Sequence, residues 1–154
     1  MDRKGAKGFT IKSTEGFIMG YCMTIMGDDF IIKRDQHAGA LAAIKALAGD
    51  ETITDSSGKH YRWTDTQEFL KATSLKDAMA AWRWHIEDSS ILSGDIIGID
   101  FWGEKMGDDI ILFKAIAPYV VKNSYIQMNG EDGCIWRWVF DGTTCKEVEA
   151  QITF

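Results

Sequence analysis

Apolar positions along this chain change their spacing several times, and each change marks an element. From Phe17 to Met26 (FIMGYCMTIM) the residues are apolar, β-branched or aromatic, which predicts a strand with Gly20 as its soft point. Gly27-Asp28-Asp29 predicts a turn, and Phe30 to Lys33 a second short strand. Asp35 is placed to cap a helix, because its carboxylate can accept amide hydrogens of the first turn. Leu41, Ile44, Leu47 and Ala48 then recur at helical spacing until Gly49 stops the pattern. A polar loop covers Thr52 to Lys59, and His60 to Trp63 reads as a strand. Asp65 with Glu68, and Ser74 with Asp77, have the spacing of capping pairs. The first opens a short helical turn. The second opens a helix that puts Leu75, Ala78, Met79 and Trp82 on one face. Trp84 falls about 200° round that helix from Trp82, so the two indoles diverge unless the helix ends by Arg83.

Gly94 to Trp102 alternates, with Ile97, Ile99 and Phe101 expected on one side of a strand. Gly107-Asp108-Asp109 turns into an apolar helix over 110–117, with Asp108 expected as its cap and Pro118 closing it. Strands follow at Ser124 to Asn129, Cys134 to Phe140 and Lys146 to Phe154, joined by turns at Gly130 to Gly133 and Asp141-Gly142. The predicted order is β-β-α-β-α-α-β-α-β-β-β. It implies an α+β fold, a mainly antiparallel sheet with helices packed on one face. A ferredoxin-like or split βαβ sandwich is the expected topology, with residues 94–129 as its βαβ unit.

Composition narrows the picture. With 45% hydrophobic residues, one proline and 154 positions, a single domain over 16–154 is expected. Residues 1–15 carry Arg3, Lys4, Lys7 and Lys12 and read as a flexible basic arm. The first residues lack the apolar core of a signal peptide, and no run of about eighteen apolar residues is present, so a cytoplasmic protein without a membrane span is expected. Cys22, Cys134 and Cys145 form no metal-clip spacing and read as reduced thiols, although a Cys134–Cys145 bridge is conceivable. The net charge of −6 makes a long nucleic acid an unsuitable partner and suits a basic protein.

Chemistry-bearing residues give no catalytic signature. Phosphate-loop patterns are missing, and His37, His60 and His85 do not form a metal-binding spacing. The acidic pairs Asp28/Asp29, Asp108/Asp109 and Glu131/Asp132 could hold a hard cation or could simply bond their own turns. No catalytic residue, metal ligand or cofactor is assigned. Met26 to Asp29 and Met106 to Asp109 repeat the same tetrad, either a duplication or a recurrent turn sequence. The tryptophans are the most distinctive feature, six in all, with four in the triplets Trp82-Arg83-Trp84 and Trp136-Arg137-Trp138. On a strand, Trp136, Trp138 and Phe140 share one face and Arg137 points away. Two roles stay open. The indoles line the core, with Arg137 paired across the sheet to Glu147 or Glu149. Alternatively Tyr61, Arg62, Trp63, Arg83, Trp84, Trp136, Arg137 and Trp138 stack and charge-pair a flat ligand such as a nucleotide.

Several stretches, from Thr73 through Trp84, Gly103 to Asp109, Ala115 to Tyr119 and above all Ser124 to Phe140 (SYIQMNGEDGCIWRWVF), resemble a group of small bacterial and phage-encoded proteins. The group carries no assigned activity, so the resemblance transfers no functional residue. It implies a bacterial or mobile-element setting. Three functions are therefore expected in this order: a non-catalytic protein that occupies a host protein through an acidic, aromatic-containing surface; a binder of a small nucleotide-like ligand; and a metal-dependent enzyme built on a carboxylate pair. The oligomeric state is not readable from the chain.

Overall fold

The computed structural model describes residues 20–49, 61–88 and 93–150. The fold is α+β. Strand β1 (Met23–Asp29) leads through a 3-10 turn (Arg34–Gln36) into α1 (His37–Ala46) and a second 3-10 turn (Leu47–Gly49). Helices α2 (Thr66–Lys71) and α3 (Leu75–Ala81) precede the hairpin strands β2 (Trp84–Asp88) and β3 (Ile96–Phe101). Helix α4 (Asp109–Ile116) and its 3-10 extension (Ala117–Tyr119) then lead to β4 (Tyr125–Gly130), β5 (Ile135–Phe140) and β6 (Cys145–Glu149). Four strands form an antiparallel sheet in the order β1-β4-β5-β6, and β2 pairs with β3. Antiparallel bridges Ile32–Ile96 and Cys22–Lys105 tie the hairpin to the sheet alongside β1. Strand β1 therefore lies between β3 and β4, the two strands that α4 connects. A ferredoxin-like topology is not shown by these pairings, since β3 pairs with β2 and not with β4.

Local chemistry explains most boundaries. Asp65 accepts the Glu68 amide at 3.1 Å, and Ser74 Oγ accepts the Asp77 amide at 3.1 Å, so both capping pairs open helices. Alternation sets the sheet. Ile126, Met128, Trp136, Trp138 and Phe140 face one side and are buried, together with apolar residues of all four helices. Phe113 of α4 sits at the centre, 5.0 Å from the rings of both Trp84 and Trp138 and 6.0 Å from Phe140. A second aromatic group, Tyr61, Phe69 and Trp82, packs under α2 and α3, with Tyr61 and Trp82 4.9 Å apart.

Several sequence expectations need correction. Strand β1 runs on through Gly27 to Asp29, where a turn was expected, because a bulge at Met26 restores its register with β4. Phe30 to Lys33 contributes only the bridge at Ile32. Neither Asp35 nor Asp108 caps its helix with its side chain. Tyr61 to Trp63 form a bend and turn instead of a strand, and His60 lies outside the described residues. So do the basic arm, the loop over 52–59, the start of the first strand and the end of the last. Helix α3 stops before Trp82, and Trp84 opens a strand that the periodicity missed. Ile97 is 50% exposed while Ile96 is buried, because the register shifts between Glu87 and Asp88. The three cysteines are unbridged, and burial pushes the Cys145 thiol up to about 12.

Two measurements check this packing. Phe113→Ala removes the ring on which three aromatic side chains rest, and a loss of about 3–5 kcal/mol is expected in urea unfolding. Asp141 accepts the Thr144 and Thr143 amides and the Thr143 hydroxyl, which hold its carboxyl down at about 2, below the usual 3.8. A depressed folded value contributes stability that is full above pH 3.8 and lost as pH falls through 2. Asp141→Asn should therefore flatten the acid limb of a fluorescence-monitored stability profile in that window and leave the neutral limb parallel to wild type.

Candidate docking site

Three segments converge on the carboxylate of Asp109, which is fully buried at the start of α4. Arg83 Nη2 donates to its Oδ1 at 2.9 Å, and Trp84 Nε1 donates to the same oxygen at 2.9 Å. The Gly107 amide donates to Oδ2 at 2.8 Å. Burial pushes the Asp109 carboxyl up, while the Arg83 guanidinium, the Gly107 amide and the Trp84 indole pull it down. Each side-chain or loop group bonded to its two oxygens is a donor, so the geometry is that of an ionised carboxylate. Next to it, the Asp108 carboxylate accepts the Arg62 amide at 2.8 Å. The tetrad Met106 to Asp109 thus clamps Tyr61-Arg62-Trp63 and Trp82-Arg83-Trp84 together. Gly107 makes the close approach possible, since a Cβ there would lie 2.6 Å from the Arg62 carbonyl oxygen.

The clamp holds its partners in uncommon backbone states. Arg83 has φ 73° and Trp63 has φ 62°, a region that bulky residues rarely enter. The left-handed step at Arg83 ends α3 and redirects the chain into β2. The Arg83 Nη1 donates to the Lys105 carbonyl at 2.5 Å, and the Arg83 carbonyl accepts the Trp102 amide at 2.9 Å. Trp102 is therefore anchored by the same residue that pairs with Asp109.

The sequence-predicted ligand residues separate into different environments. Tyr61, Trp84, Trp136 and Trp138 are buried in the core. Tyr61 donates to the Leu47 carbonyl at 2.8 Å, and Trp138 Nε1 donates to Glu147 at 3.0 Å, while Trp136 Nε1 has no partner. Both faces of these rings meet other protein groups, so they offer no stacking wall to a ligand. Arg137 lies on the opposite, solvent face of the sheet. It donates to Gln127 at 2.8 Å and lies 3.8 Å over the Tyr125 ring, in place of the expected pairing with Glu147 or Glu149. Arg62 and Trp63 are exposed, Trp63 to 49%, and the Arg83 side chain keeps 17% exposure beside them.

The residue that sequence reasoning passed over is Trp102, at 66% the most exposed large apolar side chain among the described residues. Its ring stacks on the His85 imidazole at 4.2 Å with an interplanar angle of 5°. Register explains the pair. Trp84 faces Phe101 and Ile86 faces Ile99 inward, which turns His85 opposite Asp100, and Glu87 opposite Gly98, to the other side. That outward face of β2–β3 carries carboxylates, and neither strand contains a lysine or arginine. The signal was present in the alternation itself, since Trp102 shares parity with Asp100.

The acidic pairs serve the chain itself. Burial pushes the Asp28 carboxyl up, while the nearby backbone amides of Ile99 and Phe30 pull it down. Glu131 accepts the Cys22 amide at 2.6 Å, and Asp132 accepts the Tyr21 hydroxyl and the Cys134 amide. Among the described residues, no group of three or more histidine, cysteine, aspartate or glutamate side chains could hold a metal ion. A cleft of about 350 Å³ between α2 and α3, rimmed by Glu68, Lys71 and Asp77, is lined by none of the predicted ligand residues.

Asp109→Ala leaves the Arg83 guanidinium and the Trp84 N–H buried without their acceptor, and a stability loss of about 3–5 kcal/mol is expected. Thermal or urea unfolding should show Asp109→Leu combined with Arg83→Met losing less than Asp109→Ala alone, because no charge is then stranded.

No protein-family model matches this chain, and neither a curated protein nor a solved structure shows detectable similarity to it.

Proposed function

We propose that this chain is a non-catalytic binding protein that occupies a host protein through the outward face of hairpin β2–β3. The observation that carries the reading is Trp102, exposed to 66% and stacked on His85, on a face whose formal charges are acidic. Exposed tryptophans held rigidly are the side chains that anchor protein interfaces. Carboxylates around such an anchor raise the encounter rate with a basic surface and disfavour an acidic one. The net charge of −6 acts in the same direction. The host setting comes from the resemblance to small phage-encoded and bacterial proteins. No helix among the described residues is long and apolar enough to cross a membrane.

Affinity capture from bacterial lysate, followed by calorimetry with the purified captured protein, tests the reading. Trp102→Ala should weaken that binding by on the order of tenfold or more, the loss typical of an interface anchor. Its melting temperature should stay near that of wild type, because the ring contributes little to the core. Equal binding by wild type and Trp102→Ala would remove the hairpin face from the interface.

A second reading, binding of a nucleotide-like ligand, draws on Trp63. Its ring is half-exposed next to Arg62 and the edge of the Arg83 guanidinium. Saturable quenching of tryptophan fluorescence by a nucleoside phosphate, abolished in Trp63→Phe, would favour it over a protein partner.

A further inference from the structure

Resting on that reading, we propose that the hairpin platform receives an arginine side chain of the partner, its guanidinium stacked on the outer face of Trp102 and charge-paired with Asp100 and Glu87. One face of the indole is covered by His85 at 4.2 Å, and with the residue 66% exposed the opposite face is open to solvent. A planar cation is attracted to that face by the ring quadrupole, and a guanidinium stacks flat where an ammonium cannot.

The charge partners are set by register. Asp100 stands opposite His85, one residue before Trp102, and Glu87 stands opposite Gly98 on the same side. Asp100 uses Oδ1 to accept the Phe101 amide at 2.9 Å, which leaves Oδ2 for a donor. Gly98 supplies no side chain, so Glu87 reaches across it. A Cβ at Gly98 would lie 3.3 Å from Glu87 Oε1. Strand β2 closes with the exposed Asp88, and across the seam Asp28 adds a further negative neighbour to Glu87. The ion pairs formed by described residues, Lys33–Asp95, Lys71–Glu68 and Arg83–Asp109, use none of these four carboxylates. The Arg83 guanidinium, whose own carbonyl holds the Trp102 amide, is turned inward to Asp109. The platform thus combines an open π face with carboxylates that no described lysine or arginine pairs. Such a surface repels phosphates and fits a basic side chain.

The probes are a short Gly-Arg repeat peptide, the matching lysine peptide and the matching citrulline peptide, a neutral planar isostere. The readout is the indole N–H resonance of Trp102, assigned by its loss in Trp102→Phe. The arginine peptide should shift this resonance saturably, lysine should bind several-fold more weakly, and citrulline should give no saturation. Calorimetry, which does not need that resonance, should show Trp102→Ala lowering arginine-peptide affinity on the order of tenfold, and Glu87→Gln or Asp100→Asn about threefold each. Glu68→Gln, on the far helical side, should leave it unchanged. Equal responses to arginine and lysine overturn the stacking geometry, and a response to citrulline or to a neutral oligosaccharide overturns the charge pairing. If a partner captured through Trp102 is not displaced by the arginine peptide and the peptide leaves the resonance unmoved, this inference falls while the protein-binding reading stands. If the peptide binds as expected but no Trp102-dependent partner is captured, the inference stands and that reading fails.

Discussion

A buried carboxylate with no basic or indole donor around it would be driven to neutrality or to the surface, and Asp109 avoids both by collecting donors from three parts of the chain. The end of α3 sends the Arg83 guanidinium, the first residue of β2 sends the Trp84 indole, and the loop before α4 sends the Gly107 amide. The requirement works in both directions. Trp84 is fully buried among Phe101, Phe113 and Trp138, where its N–H needs an acceptor that aromatic neighbours cannot supply. The Asp109 carboxylate is that acceptor. Helix α4, the hairpin and the inner face of the sheet are thereby fixed against one another at one point. The Arg83 carbonyl extends the constraint to the Trp102 amide, so the surface anchor inherits the rigidity of the core.

The repeated tetrad acquires a physical meaning from this arrangement. In Met106 to Asp109, the two carboxylates take the Arg62 amide and the Arg83–Trp84 donors. In Met26 to Asp29, the Asp28 carboxylate lies near the backbone amides of Phe30 and Ile99, at the seam where β1 runs beside β3. Backbone bridges close that seam at Ile32–Ile96 and Cys22–Lys105. Each copy places a short acidic side chain beside backbone donors at a junction between segments. This is a sufficient reason for the same four residues to recur without any duplication of a half-domain.

What could be read from the chain follows the range of the forces involved. Capping at Asp65 and Ser74 depends on residues three positions apart and was legible. So was the sharing of one face by Trp136, Trp138 and Phe140, because period two sets which side chains align, whereas the covering of that face comes from the helices. The continuation of β1 through Gly27 was not, since a bulge set by pairing with β4 decides it. Nor were the left-handed states of Trp63 and Arg83. Propensity argues against them, and the bonds beside them, Asp108 to the Arg62 amide and Asp109 to the Arg83 side chain, come from a segment distant in the chain. The candidate ligand residues were chosen for composition, Trp and Arg together, which does not distinguish a ring that fills the core from one that meets solvent.

Parity and partnership make that distinction, and they bear on function. Trp84, with its N–H satisfied by Asp109, and Trp138, satisfied by Glu147, lie inside. Trp102 follows Phe101 by one position and therefore emerges on the other side, beside Asp100. An indole at 66% exposure loses most of the favourable burial available to it, so it contributes little to holding this chain together. Stacking on His85 limits its motion without hiding it. An apolar ring that is held in place yet left in water is already ordered when a partner arrives, and the entropy cost of fixing it on binding is correspondingly small. The carboxylates beside it then select the sign of that partner, so one face of a single hairpin supplies both the anchor and the discrimination.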